Sequence, residues 1–433
     1  MRTWILGCLM LTLAGCGGPQ ANMSGELRVW HTVTLAFHGP DASETGEPNP
    51  FMDYRLDVTF TGPDSEYVVP GFFAADGSSA ETSADSGSTW LVRFSPNAEG
   101  KWHYRASFRA GPGVALAEDP AAGQSAAFDG ASGEFVVAGS DKQPPDFRSR
   151  GHLEYAGERY LRFAGDGKYF LKGGADSPEN LLAYTDFDGT RDQDAESGRR
   201  EAFLHSYEPH IQDWREGDPS WQDGKGKGLI GALNYLASEG VNSIYFLPQN
   251  VGGDGDDTWP WIAPTTFDRF DVSKLEQWEI VFSHADRLGI LLHVVTAETE
   301  NDHLLDDGEL GPARKLYYRE LVARFAHHPA LIWNLGEENT NSTEQRKAHA
   351  SGLRRLDPYD HPVVMHTHAT ANHHERHYTP LLGFEDFEGA SMQIRDDSIV
   401  HTELVEWKRR SREAGRPWIV SFDEQRTGRD GIA

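Results

Sequence analysis

Cysteine is nearly missing from this sequence. The 433 residues contain two, Cys8 and Cys16. Both fall in an export leader, so the mature chain is expected to have no internal disulfide, no thiol nucleophile and no cysteine-based metal site. Basic charge is also scarce: 40 Lys and Arg face 67 Asp and Glu, a formal net charge of −27. That balance argues against a nucleic-acid partner, which requires clustered cations on its protein. After the leader no apolar run approaches the ~18 residues of a membrane-spanning helix. What the chain does have is aromatic bulk, with 12 Trp, 14 Tyr and 22 Phe in a composition that is 38% hydrophobic. Such material demands a large core, excludes global disorder and fits two or three domains.

Residues 1–16 read as a lipoprotein signal peptide. Arg2 supplies the positive start, and Trp4 through Leu11 an apolar core too short to span a bilayer. Leu13-Ala14-Gly15-Cys16 has the form of a bacterial lipobox, in which the Cys is acylated and becomes the new amino terminus. The expectation is an exported lipoprotein, in the periplasm or at the cell surface, held to the membrane by lipid on Cys16.

Residues 17–25 read as a Gly/Asn/Ser tether, and 26–138 as an all-β unit. Arg55-Leu56-Asp57-Val58-Thr59-Phe60 alternates, as does Trp102-His103-Tyr104-Arg105-Ala106-Ser107-Phe108, and turn residues separate such runs at short intervals. This predicts a β-sandwich, with an exposed loop at 76–88 and a linker at 139–147. From about residue 150 to 433 the rhythm becomes α/β. Seven strands are predicted, at 169–172, 243–247, 290–295, 331–335, 363–366, 390–393 and 418–422. Helices are predicted between them at 229–239, 275–288, 313–327, 344–356 and 402–414. The expected architecture is a (β/α)8 TIM-type barrel interrupted before its eighth strand, because the sequence stops at Ala433 in what reads as a loop.

In such a barrel the chemistry lies after the carboxyl ends of the strands. Polar groups follow every predicted strand. They include Asp176 and Asn180, then Asn250 with Trp259 and Trp261, then Glu298, then Glu337-Glu338-Asn339, then His366 and His368, then Gln393, and finally Asp423-Glu424. The acidic pairs after strands four and seven would face each other across the mouth. Glycoside hydrolysis needs two carboxylates, one to protonate the leaving oxygen and one to attack the anomeric carbon, about 5 Å apart when configuration is retained. Trp259 and Trp261 would offer flat faces to sugar C–H groups. Asn250, Glu298, Asn339, His366 and Gln393 would hold hydroxyls.

A resemblance then becomes specific. Asn49-Pro50-Phe51, Val69-Pro70-Gly71-Phe72-Phe73, Trp90-Leu91-Val92-Arg93-Phe94-Ser95-Pro96 and Gly100-Lys101-Trp102 resemble the Ig-like amino-terminal domain of unknown function of bacterial secreted carbohydrate-active proteins. Gly228 through Leu236, Phe270 through Trp278, and Trp333-Asn334-Leu335-Gly336-Glu337-Glu338-Asn339 resemble the clan A-like glycoside hydrolase barrel that follows it in that family. The resemblance implies an acid/base after strand four and a nucleophile after strand seven. It points to Glu338 and Glu424, with Glu337 and Asp423 as rivals. The clan has Asn-Glu after strand four; here Glu337 stands where that Asn binds the sugar 2-hydroxyl. The function so implied is a retaining glycoside hydrolase acting on a polysaccharide or oligosaccharide, with no cofactor and no metal. The alternatives are a non-catalytic glycan-binding surface lipoprotein and a metal-dependent hydrolase built on the histidines at 366, 368, 373, 374 and 377.

Two further signals are weak. Gly226-Lys227-Gly228-Leu229-Ile230-Gly231 has the spacing of a dinucleotide loop but no preceding strand. Asp186, Asp188, Asp192 and Asp194, like Asp254, Asp256 and Asp257, form acidic loops that do not follow an EF-hand order and read as solvated, with structural Ca²⁺ as the lesser reading.

Overall fold

The computed structural model describes residues 20–174, 177–193, 204–253 and 255–425. Residues 1–19, with Cys16 and the expected leader, lie outside the described residues, as do Asp176, Asp194 and Asp254. The amino-terminal region contains β1 (Asn22–Gly25), β2 (Val33–Ser43), β3 (Tyr54–Thr61), β4 (Glu66–Pro70), β5 (Phe72–Phe73), α1 (Ser79–Thr82), β6 (Ser86–Phe94), β7 (Gly100–Ala110), β8 (Gln124–Ser125) and β9 (Ser132–Val137). They form two antiparallel sheets, β1-β2-β6-β5 and β4-β3-β7-β8, with β9 added to β7. The alternation in the sequence explains the layers. On β7, Trp102, Tyr104, Ala106 and Phe108 are buried while Lys101, His103 and Arg105 are exposed. Aromatic rings bridge the sheets: Phe60 stacks on Phe94 at 4.1 Å, and Trp90 meets Phe108 edge-on at 4.9 Å.

Two expectations are corrected here. The tether is partly a strand, because residues 22–25 pair through their main chain with residues 33–36 of β2, a contact that needs no side-chain pattern. The segment 76–88 is mostly exposed, as expected, but is not loop throughout. It contains α1, and Gln222 and Gln277 of the following domain both donate to the Ala80 carbonyl.

A small antiparallel sheet follows: β10 (Leu153–Tyr155), β11 (Leu161–Phe163) and β12 (Tyr169–Phe170). Next come α2 (Lys227–Ser238), β13 (Ser243–Phe246), α3 (Val272–Leu288), β14 (Leu291–Val295), α4 (Pro312–Phe325), β15 (Leu331–Asn334), α5 (Thr343–Leu356), β16 (Val363–Thr367), α6 (Ala371–Tyr378), β17 (Gly389–Ile394), α7 (Val400–Glu413) and β18 (Ile419–Gln425). The strands β13 to β18 form one parallel six-stranded sheet in sequential order, a half-barrel flanked by helices. Local chemistry sets the helix limits. Asp271 caps α3 by accepting from the Lys274 N–H at 2.9 Å, Gly289 ends it in a left-handed conformation, and Ser342 with Gln345 forms a capping box on α5.

The predicted first barrel strand is different. Residues 169–170 pair backwards with β11, and the chain then runs irregularly beside β13. There Gly173 O, Ser177 O and Glu179 O accept from the N–H groups of Asn242, Tyr245 and Leu247 at 2.9, 3.3 and 3.0 Å. Gly174 permits this approach, since a Cβ there would collide with the Ser243 carbonyl.

The sandwich is bolted to α3, α4 and the connections around them. Phe51 packs edge-on against Phe270, and Glu44 accepts from the Val272 N–H at 2.6 Å. Arg319 reaches Asp57 at 2.8 Å, Arg324 the Phe73 carbonyl at 2.9 Å, and Arg93 reaches Glu276 at 2.6 Å.

Candidate active site

Because the strands are parallel, their carboxyl ends converge, and each delivers side chains to one mouth. Tyr245, His293, Asn334, His366, Ser391 and Asp423 share the inner face. Tyr245 meets the His293 and His366 rings at 4.8 and 6.1 Å, Asn334 donates to His293 Nε2 at 3.0 Å, and Ser391 donates to Asp423 at 2.5 Å. This interior is polar, unlike the Val/Ile/Leu layers of an ordinary barrel core.

At its upper rim a carboxylate oxygen of Glu337, a ring nitrogen of His366 and a carboxylate oxygen of Glu424 lie within 4.8 Å of one another. All three residues are buried. His366 Nδ1 accepts from the Glu338 N–H at 3.1 Å, so Nε2 carries the proton, and it faces Glu424 Oε2 at 3.5 Å. Burial holds this ring down at about 4, hence neutral at pH 7. A metal on Nε2 would require the opposite tautomer and would set two N–H groups against each other, so the trio suits hydrogen bonding rather than a cation.

Glu338 sits in a left-handed backbone conformation, φ 42°, which costs a non-glycine residue roughly 1–3 kcal/mol and marks functional sites. The backbone bond to His366 holds it there. Its carboxylate, the more exposed of the pair, lies 2.9 Å from His368 Nδ1 and takes a further hydrogen bond from Gln393. The His368 bond lowers Glu338 below the usual carboxylate value and raises His368 above the usual imidazole value.

The two acids after the last strand part company. Asp423 is wholly inside, ion-paired with Lys172 and bonded to the hydroxyls of Ser391 and Ser421 at 2.5 and 2.7 Å. Burial alone would raise its pKa, but Lys172 and these partners bring it to about 2. Glu424, opposite Gln393 across the sheet, turns to the mouth.

Several expected ligands have other duties. Trp259 and Trp261 are 1% and 0% exposed, so neither face is open to a sugar. Trp261 packs against Phe267, Phe270 and Tyr317, and Trp259 lies under Lys274, because their loop folds back onto α3 and α4. Asn339 accepts from Arg346 and the Asn341 N–H, and donates to the Leu335 carbonyl. Asn250 joins Asn180 and Asn301 in a buried amide chain. Both asparagines are fully buried and spend these groups on neighbouring residues. Glu298 remains near it, with Glu300, around Gly253.

His374 and His377 are buried on α6, and His374 bonds the Gln393 carbonyl at 2.9 Å. Lys172 was not expected at the site, and His368 only as a polar group after the fifth predicted strand or as a metal ligand. Their signals were a lone cation at the end of a predicted strand and the His-x-His spacing that puts both rings on one side of a strand. The glycine-rich segment is packing: a Cβ on Gly226 would strike Trp221, and one on Gly231 the His210 carbonyl. Asp186 and Asp188 are committed to Gly226 N–H and to Ser83 and Gln222, so they do not converge on an ion.

Residues 26–109 match a family model described as a domain of unknown function, DUF5060. No curated protein matches the sequence. Among solved structures, a candidate glycoside hydrolase from Bacteroides vulgatus ATCC 8482 superposes with TM-score 0.59 at 17% identity, over 91% of this chain and 63% of that one. The chain has a glycoside hydrolase-like fold. It spans a little under two thirds of that relative's length. A family 5 glycoside hydrolase from the same strain aligns at 15% identity over 65% of this chain and 54% of its own, with TM-score 0.43. The catalytic domain of a mannanase from Streptomyces sp. SirexAA-E aligns at 12% identity over 65% and 74%, with TM-score 0.35. The last two are too distant in structure to carry an argument.

Proposed function

We propose that this chain is a retaining glycoside hydrolase that cleaves a polysaccharide or oligosaccharide outside the cytoplasm, anchored by lipid on Cys16. The amino-terminal sandwich is then Ig-like and braces the barrel. The observation that carries the reading is the meeting of Glu337, Glu424 and neutral His366 within 4.8 Å at the carboxyl ends of parallel strands, with Glu338 beside them.

In this reading Glu424 attacks the anomeric carbon while Glu338 relays the proton it shares with His368 to the departing glycosidic oxygen. A glycosyl ester forms on Glu424. Glu338, now a carboxylate, takes a proton from water, and the resulting hydroxide displaces Glu424. The Nε2–H of His366 steadies Glu424 as a carboxylate. Glu337, whose carboxylate lies within 4.8 Å of Glu424, receives the hydroxyl next to the anomeric carbon. Asp423 does not serve as nucleophile, since Lys172 and two hydroxyls occupy its oxygens. The Glu338–His368 pair holds one proton between its members, so His368 can recharge the acid.

The test is release of reducing ends from a panel of neutral and acidic polysaccharides by the full chain. Glu424→Gln is expected to lose at least ~10⁴-fold in kcat, by analogy with nucleophile removal elsewhere. Glu338→Gln is expected to lose ~10²–10⁴-fold. Both variants should keep the wild-type circular dichroism. Activity retained by both would overturn the assignment. Glycan retention without any release would point to a binding lipoprotein.

A further inference from the structure

At the opposite end of the half-barrel from the mouth, a cleft of about 440 Å³ opens between the sandwich and the connection that leads into β16. Its size falls in the range of small-molecule sites, roughly 300–1,000 Å³. Its wall is aromatic: Trp30 and Tyr67 from the sandwich side, Tyr155 and Tyr359 from the barrel side. The rings are braced from behind. Trp30 lies against Gly151 and Gly165, where any Cβ would collide with the indole. Tyr359 is stacked on His152 at 4.8 Å and 10°, and its hydroxyl accepts from the Ser95 N–H at 2.9 Å.

Two buried polar atoms in this wall have no partner. One is the Trp30 indole N–H, a donor, and the other is Nδ1 of His152, a residue only 6% exposed. His152 uses its other nitrogen on the Ser95 hydroxyl, 3.0 Å away. Polar side chains rim the opening: Asn97, Glu154 and Asp360. Arg162 sits near Glu154, but Arg354, 3.5 Å from Asp360, lies closer to Glu388 at 2.8 Å, so the rim leans acidic.

We propose that this interdomain cleft is a second glycan site, which holds an uncharged oligosaccharide segment away from the catalytic mouth. A sugar hydroxyl is both donor and acceptor, so it satisfies an orphaned indole N–H or an orphaned imidazole nitrogen equally well. The aromatic faces take the sugar's C–H surface, as aromatic rings take other apolar faces. The two carboxylates of the rim repel anionic sugars and accept from the hydroxyls of a neutral one. The site makes the sandwich half of a glycan-binding surface as well as a brace. It rests on the glycan reading above but does not depend on turnover.

Ala164 lines the cleft and is exposed, so Ala164→Trp fills the space without touching the core. The full chain carrying Glu424→Gln is titrated calorimetrically with cellohexaose, mannohexaose and xylohexaose. At least one is expected to occupy two sites per chain. Ala164→Trp should abolish one site and leave the other within about twofold. The variant Asn97→Ala/Asp360→Gly, confined to exposed side chains and with glycine at the left-handed position 360, should weaken that same site at least tenfold with an unchanged melting temperature. In the otherwise wild-type chain, Ala164→Trp should leave hydrolysis of a short soluble substrate unaltered. Failure of all three sugars to bind, or binding insensitive to both cleft variants, overturns the proposal. Loss of hydrolysis with cleft-sensitive binding intact would instead overturn the catalytic reading alone.

Discussion

Two glutamate–histidine clusters lie at opposite ends of the same parallel sheet. Glu279 of α3 meets His327 and His328, which precede β15, and Glu337 meets His366 and Glu424 near the carboxyl ends of β16 and β18; each trio brings its ligand atoms within 4.8 Å. They do opposite things. The lower cluster is closed by countercharge. Arg93 lies 3.5 Å from Glu279 and 2.6 Å from Glu276, and His328 faces Asp286 at 2.7 Å and Glu279 at 3.3 Å. Burial opposes ionisation there, yet Arg93 and the imidazoles hold Glu279 well below the usual carboxylate range, and the two carboxylates lift His328 to about 10. In the upper cluster two carboxylates share one imidazole that burial keeps neutral. Residue type alone does not separate a structural network from a reactive one. The difference lies in whether the charges are matched.

Breaking the match at the lower cluster should have the larger effect on stability. Arg93→Met takes the nearest cation from Glu276 and Glu279 in the domain interface, leaving Glu276 with Arg324 at 3.4 Å and Glu279 with the two imidazoles, and about 3 kcal/mol should be lost. Urea denaturation should show this, while kcat at 25 °C stays near wild type. An activity loss as large as that of Glu424→Gln would erase the distinction between the two ends. Lys172→Met tests the boundary between them, because it strands Asp423 below the mouth. A stability loss of similar size should accompany a fall in kcat, since Asp423 precedes Glu424 on β18.

The pH dependence sharpens the same contrast. His328 is raised from 6.5 to about 10, so its contribution is fully present below 6.5 and disappears as pH rises through 10. Asp423 is depressed from 3.8 to about 2, so its contribution is present above 3.8 and disappears as pH falls through 2. Denaturation across pH should therefore show an alkaline loss that Arg93→Met alters and an acid loss that Lys172→Met removes. The smallest expected effect is at the mouth. His368→Gln takes away the partner that stores the acid's proton, so the alkaline limb of kcat/KM should move to lower pH with stability almost unchanged. An unmoved limb would exclude His368 from the proton inventory.

Much of the architecture was legible in the chain. Alternation along residues 55–60 and 102–108 gave strands with one buried face. Five helices and six parallel strands fell close to their predicted places, because caps such as Asp271 and Ser342 and apolar periodicity act over a few residues. The first barrel strand was misread because an apolar run such as Tyr169-Phe170 has no direction of its own. It pairs with whichever edge the turn delivers, and here that is β11. The indoles of Trp259 and Trp261 were misread for a related reason. A loop tryptophan has the same composition whether it stacks on a ligand or folds back onto the barrel, and its exposure is known only after packing.

The sequence by itself determined the alternation of layers, the position of polar groups after each strand and the presence of two acidic pairs, since these follow from short-range periodicity and order along the chain. Only the tertiary structure decided which acid of the last pair faces the mouth and which is spent on Lys172, 251 residues away. It alone fixed the tautomer of His366, through a hydrogen bond from a loop 28 residues earlier. Charge matching is a property of distances in space, and distances of a few ångströms between remote residues are not written in any local pattern.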